Sequence, residues 1–241
     1  MIKTFKKIIW FSILSIVLVI GYKDYKAELL EGPEAPEAIS LIEVGEQIED
    51  QARTNINIDM PFYTQAPHSN WDYPWQETCE EASVLLVANV FNELYLDLED
   101  YNTELLRLVD WEMEIFGSYE HTTIEQTTQM MTENYGLETV VHENPSFEDI
   151  QEILNQGNLI IAPFAGKLLG NPNFRNGGPT YHMLVIKGYD SEKMQIVTHD
   201  VGTRNGENYV YEWSTIEAAL HDWHDDDILE GTPRLIEVVK P

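Results

Sequence analysis

The chain has 241 residues, 43% of them hydrophobic, which is room for one globular domain with a real core plus an appendage. Its formal net charge of −28 has the wrong sign for sequence-independent nucleic-acid binding, so that class of function is excluded. A single cysteine, Cys79, excludes an intramolecular disulfide and any zinc site built on thiolates.

At the N-terminus, Lys3, Lys6 and Lys7 precede an apolar run from Ile8 to Ile20 that is broken only by Ser12 and Ser15. A basic flank followed by an apolar core is the pattern of an export signal. No small-x-small cleavage site stands near Val19-Ile20-Gly21, so residues 1–22 are expected to be an uncleaved membrane anchor. The run falls short of the ~20 residues that usually span a bilayer, which keeps a cleaved signal peptide as the alternative. Lysines on the N-terminal side put that end in the cytoplasm and the rest of the chain outside. Residues 23–56, with the sequence GPEAPEA from Gly32 to Ala38, read as an acidic, proline-containing linker. Within it Leu41, Ile42 and Val44 are compatible with a short helical turn.

The folded domain is expected over 57–241. Its first distinctive stretch is Met60 to Ser83, MPFYTQAPHSNWDYPWQETCEEAS. Thr78-Cys79-Glu80-Glu81 has the spacing of a capping box ahead of the apolar run Ala82, Leu85, Leu86, Val87 and Val90, predicting a helix to about Leu94. Cys79 is then the first helical residue, where unpaired N–H groups and the helix dipole favour a thiolate. Glu80 and Glu81 oppose that charge, so a cationic partner is required to settle the contest.

Further helices are expected over Tyr101–Phe116, with Leu105, Leu108, Val109 and Met113 at helical spacing, and over Thr123–Tyr135, stopping at Gly136. Leu137–His142 reads as a strand, Ser146 opens a helix that ends at Gly157, and Leu159–Ala162 is a short apolar strand. Phe164–Pro179 is rich in Gly, Asn and Pro and reads as a loop lining a substrate cleft. Tyr181–Tyr189 and Met194–His199 form a hairpin about the turn at Ser191-Glu192. In that register His182 lies opposite about Val201, which brings His182 and Asp200 together at the hairpin's open end. His199, on the other face of the strand, is expected to be a surface or supporting residue. Tyr209–Trp213 is a further strand, Ser214–Glu217 a second capping box opening a helix to about Trp223, and Leu235–Val239 the last strand. Helices followed by an antiparallel sheet make the fold class α+β.

A thiol nucleophile needs a cationic or basic partner, a group to orient that partner, and donors for an oxyanion. Cys79, His182 and Asp200 are the candidates for the first three roles. The Cys79 N–H and the Gln65 amide are candidates for the fourth, with Gln76 as the alternative donor. His221, His224 and the run Asp225 to Asp227 match no metal-binding loop and read as a solvated acidic helix end, so no metal is expected. There is no P-loop, GxSxG, GxGxxG or HExxH motif, and no cofactor is expected.

QAP at Gln65, then Trp71, then CEEAS opening a helix, followed by GPTYHMLVIKGYD and THDVGTRNG, resemble in order the Cys, His and Asp segments of the peptidase C-39-like branch of papain-like cysteine peptidases. The similarity runs from about Met60 to the C-terminus. It implies a papain-like fold, assigns the same roles to Cys79, His182, Asp200 and Gln65, and makes the substrate a peptide or protein. Two positions depart from the family pattern: Glu80-Glu81 stand where Gly-Pro is frequent, and Val201 where Pro is common. The transporter usually fused to double-glycine leader peptidases of this kind is absent from these residues, so a bacteriocin leader is not the expected substrate. Two other outcomes fit the same residues: a transpeptidase or cell-wall amidase, and a catalytically silent peptide-binding module.

Overall fold

The computed structural model describes residues 32–46, 53–225 and 227–241. In chain order the described residues form helix α1 (Leu41–Glu46), strand β1 (Asn55–Asn57), helices α2 (Cys79–Phe91), α3 (Leu98–Ile115) and α4 (Ile124–Tyr135), strand β2 (Thr139–Glu143), helix α5 (Phe147–Asn155), strands β3 (Leu159–Ala165), β4 (Tyr181–Asp190), β5 (Gln195–His199) and β6 (Tyr209–Glu212), helix α6 (Trp213–Ala219) and strand β7 (Arg234–Val238). The architecture is α+β. Every strand pair is antiparallel, in the order β2-β7-β3-β4-β5-β6.

β3 and β4, the most apolar strands, lie at the middle and are buried along their whole length. One edge of β4 is shared. Its first half pairs with β3 and its last three residues pair with β1. That close approach requires a glycine: a Cβ on Gly188 would stand 2.2 Å from the Ile56 carbonyl oxygen. α2, buried from Cys79 through Asn89, packs along β4, with α3 and α4 against it.

Several elements differ from expectation for local reasons. β3 runs on through Pro163 to Ala165. Pro163 has no N–H to donate, but its carbonyl accepts from His221 N–H at 3.3 Å. α2 stops at Phe91, because Glu93 and Tyr95 turn into the left-handed region at φ 50° and 52°. α3 starts three residues early, capped by Asp97, which accepts from the N–H groups of Glu99 and Asp100. α4 and α5 begin at the expected residues, and each start carries a capping box that was not expected, Thr123 with Gln126 and Ser146 with Asp149. The box at Ser214–Glu217 does not form. α6 begins two residues earlier, where Trp213 N–H donates to the Met194 carbonyl, and ends at Ala219 as Leu220 bridges to Phe164.

The hairpin of β4 and β5 is displaced from the expected register by one to two residues. Val185 faces His199, Ile186 faces Thr198, and Lys187 is an extra residue before Gly188 pairs with Val197. Described residues of the expected linker pack on the domain. Pro33–Pro241 form one compact unit, Ile39 pairs with Ile58, the Pro36 carbonyl accepts from Asn57, and Val44 is buried in the core. Among the described residues no helix is long and apolar enough to cross a membrane, and the expected anchor at 1–22 lies outside them.

Candidate active site

Three segments converge on Cys79. The first, around Gln65, is tied down by its N–H, which donates to the Val201 carbonyl at 3.0 Å. The second is a single 3₁₀ turn, Trp75–Glu77, that delivers the chain into α2 with Cys79 as its first residue. Thr78 does not cap this helix. Its hydroxyl is shared between the carbonyls of Gln65 and Trp75, both at 3.2 Å, and so braces the loop below the thiol. The third is the start of β4, where the Met183 N–H points at Cys79 Sγ, 3.4 Å away.

His182, the residue before Met183, holds Asp200 through Nε2 at 2.8 Å from Oδ1. Its Nδ1 has no hydrogen-bond partner among the described residues. Phe174 sits edge-on to the imidazole at 5.3 Å, and Gly202 leaves the ring its space, since a Cβ there would be 2.7 Å from Cε1. Asp200 is fully buried and accepts from Gly202 N–H at 3.1 Å, Tyr211 O–H at 2.6 Å and Asn171 Nδ2 at 3.0 Å. Burial alone would raise this carboxyl, but His182 and then Tyr211 and Gly202 hold it below its ordinary range. Asn171 and Tyr211 escaped the sequence reading. One sits in a Gly/Asn/Pro loop and the other alternates along a strand, and neither pattern distinguishes them from ordinary loop or core residues.

Gln65, Cys79 and His182 line one cleft of about 460 Å³, walled on one side by Trp71, Gln76 and Glu77 and on the other by residues 173–176, 178–179 and 202–205. The Gln65 amide is buried and oriented, donating one hydrogen to the Trp75 carbonyl at 2.9 Å. Gln76 is exposed, and its amide has no such brace among the described residues. The loop before β4 does line the cleft, as its composition led us to expect.

The model of the Peptidase_C39-like family matches residues 57–226, the span that carries this whole cleft. The chain belongs to the Peptidase_C39-like family. A solved structure of a C39-like peptidase from Bacillus anthracis superposes with a TM-score of 0.51 at 15% identity, over 76% of this chain and 96% of that one. At that identity the likeness speaks for the fold alone. No curated protein sequence matches the chain. Family and fold together suggest a cysteine peptidase acting on peptides or proteins.

Acidic residues stand directly behind the thiol of this C39-like chain. Cys79 Sγ donates to Glu80 Oε2 at 3.0 Å. Burial first, and then the Glu80 carboxylate, push the thiol well above its ordinary range, against the Met183 N–H. Glu80 in turn accepts from Thr122 N–H at 3.1 Å, and burial raises it to about 8. Glu81 is fully buried beside Glu112, and no N–H or O–H reaches either of its oxygens. Two facing buried carboxylates repel, which favours a proton on the pair. Burial and Glu112 raise Glu81 well above its ordinary range, and burial raises Glu112 to about 7.

His199 is buried rather than at the surface. It stitches Met60 to Asn208, accepting from Asn208 N–H at Nδ1 and donating to the Met60 carbonyl, both at 3.2 Å. Burial and then Lys187 lower it to about 3, which keeps it neutral. His221 bonds the Gly231 carbonyl at 2.9 Å.

Proposed function

We propose that this chain is an exported cysteine peptidase of papain-like fold that cleaves peptide bonds with Cys79 as nucleophile, His182 as acid and base, and Asp200 as the group that orients His182. The observation that carries the reading is the His182 Nε2–Asp200 Oδ1 bond, 2.8 Å long, in the wall of the cleft that Cys79 also lines. With Nε2 committed to Asp200, Nδ1 is the nitrogen available to a thiol. The export pattern of Lys3, Lys6, Lys7 and Ile8–Ile20 supports a domain outside the cytoplasm, held by the N-terminal segment or released from it.

In the first step the Cys79 proton passes to His182 Nδ1 and Sγ bonds to the scissile carbonyl carbon. The oxyanion is held by the Cys79 N–H and by the second hydrogen of the Gln65 amide, the first being committed to Trp75. Collapse breaks the C–N bond as His182 returns its proton to the leaving amine, leaving a thioester. Water, giving a proton to His182, then releases the acid and restores the thiol. An amine in place of water gives acyl transfer.

The Cys79–Glu80 bond favours a second reading, a peptide-binding module whose thiol stays protonated. Iodoacetamide alkylation of Cys79 against pH, in wild type and in His182→Ala, separates the two. A peptidase shows a thiolate well below the free-thiol value of ~8.5 that disappears in the variant. A titration at or above that value in both proteins removes the peptidase reading.

A further inference from the structure

The cleft carries cations that the rest of the chain does not use. Against 42 acidic residues the sequence has only 14 lysines and arginines. Among the described residues most of these are engaged: Arg107 with Glu104, Lys193 with Asp190, Arg234 with Glu125 and Glu143, Lys187 with Asn57 and Asn208, and Arg53 and Lys240 with carbonyls. The guanidinium groups of Arg175 and Arg204 have neither an ion pair nor a hydrogen bond among the described residues, and both line the cleft. In so acidic a chain, two unpaired arginines in one wall of one cleft are a local reversal of charge.

Their position relative to the reaction is set by the backbone. Arg175 follows Phe174, whose ring packs on His182, and Arg204 lies two residues past Gly202, which abuts the same ring. The loops that carry them are joined to each other and to the His182 partner. Asn205 Nδ2 donates to Asn173 Oδ1 at 2.8 Å, Asn173 N–H donates to Asn171 Oδ1 at 3.0 Å, and Asn171 donates to Asp200. Both arginines therefore flank His182, the group that in the proposed reaction delivers a proton to the leaving amine. The segment before α2 contributes Glu77 to the cleft and no cation.

We infer that Arg175 and Arg204 recognise a carboxylate on the leaving-group side of the scissile bond, supplied by an acidic side chain or by the substrate's C-terminus. The inference rests on the peptidase reading for the direction in which the peptide lies, but the carboxylate site itself does not. Guanidinium groups suit this ligand because their planar donors meet a carboxylate in bidentate fashion.

The test uses the full chain and a positional library of N-acetylated peptides in two arms, C-amidated and free acid, with Asp, Asn or Lys fixed at each position. Wild type is expected to cleave with Asp favoured over Asn by roughly five- to tenfold in kcat/KM on the leaving side. Arg175→Gln and Arg204→Gln should each erode the preference, and Arg204→Glu should turn it toward Lys. Both arginines are exposed, so these variants are expected to keep the wild-type fold, which circular dichroism checks. An effect confined to the free-acid arm assigns the site to the chain terminus. Equal cleavage of Asp, Asn and Lys peptides of both arms, unchanged in the variants, overturns the inference and leaves the peptidase intact. If nothing is cleaved, binding of the same peptides to Cys79→Ala by fluorescence anisotropy decides. Carboxylate-dependent binding lost in Arg204→Glu supports the site without the activity, and charge-independent or absent binding overturns it.

Discussion

Cys79 sits in a contest between two groups that want its proton differently. In the proposed reaction His182 gains from a thiolate in the same cleft, whereas buried Glu80 accepts the S–H bond and favours the neutral thiol. Replacing Glu80 with Gln keeps an acceptor but removes the charge. The alkylation profile of Glu80→Gln is expected to move to lower pH by about one unit, and an unmoved profile would show that Glu80 has no hold on the thiol. Cys79→Ala and His182→Ala should each abolish turnover without unfolding the chain, and Asp200→Asn should lose less than either because Tyr211 and Asn171 still pack around the site. Gly202→Ala tests the same geometry from outside, since its Cβ would push the imidazole from 2.7 Å. Its kcat should fall at least tenfold with little change in melting temperature, by analogy with other small displacements of catalytic groups. The candidate residues themselves were readable because each stands in a distinctive local run. Their supports were not, since Asn171 and Tyr211 reach Asp200 from 29 and 11 positions away.

β4 is the element on which the site depends. Its first residues place His182 and the Met183 N–H, its middle packs against α2, and its end receives β1. Gly188→Ala would set a methyl group against the Ile56 carbonyl, and overpacking of that kind costs about 1–3 kcal/mol. We expect a lower denaturation midpoint with unchanged activity in the remaining folded protein, measured by urea titration. Helix starts were legible where the capping residues served only their own helix, as at Thr123 and Ser146. At α2 the start at Cys79 is as expected, but the expected capping box does not form because its residues have another tertiary use. Thr78 gives its hydroxyl to two loop carbonyls, and Glu81 turns inward to Glu112. Glu112 stands one residue before Met113 on α3. Periodicity assigned the inward place to the methionine, yet Met113 is 49% exposed and Glu112 is buried.

At the scale of the molecule, three buried carboxyls make stability depend on pH. Glu80 and Glu112 have folded values raised to about 8 and about 7, and burial and then Glu112 raise Glu81 well above its ordinary range. Their contribution is complete below the unfolded value and is lost as pH rises through the folded ones, at up to about 1.4 kcal/mol per pH unit for each proton held. His199, lowered to about 3, works in the opposite sense and loses stability as pH falls below its unfolded value near ~6.5. The melting temperature should therefore fall between pH 6.5 and 8, and Glu112→Gln should flatten that slope, as scanning calorimetry at several pH values would show. A net charge of −28 adds a general repulsion, so added salt should raise the melting temperature at neutral pH. What depends on neighbours along the chain was legible in the residues alone: the α+β class, the starts of α2, α4 and α5, and the hairpin that brings His182 toward Asp200. Other features came from packing: that β4 carries an extra residue at Lys187, that residues 33–46 pack on the domain, that His199 is internal, and that carboxyls face one another behind the thiol. Periodicity and capping are local energies and leave local patterns, whereas a buried carboxyl or an unpaired arginine acquires its meaning from residues far away in the chain, which no spacing records.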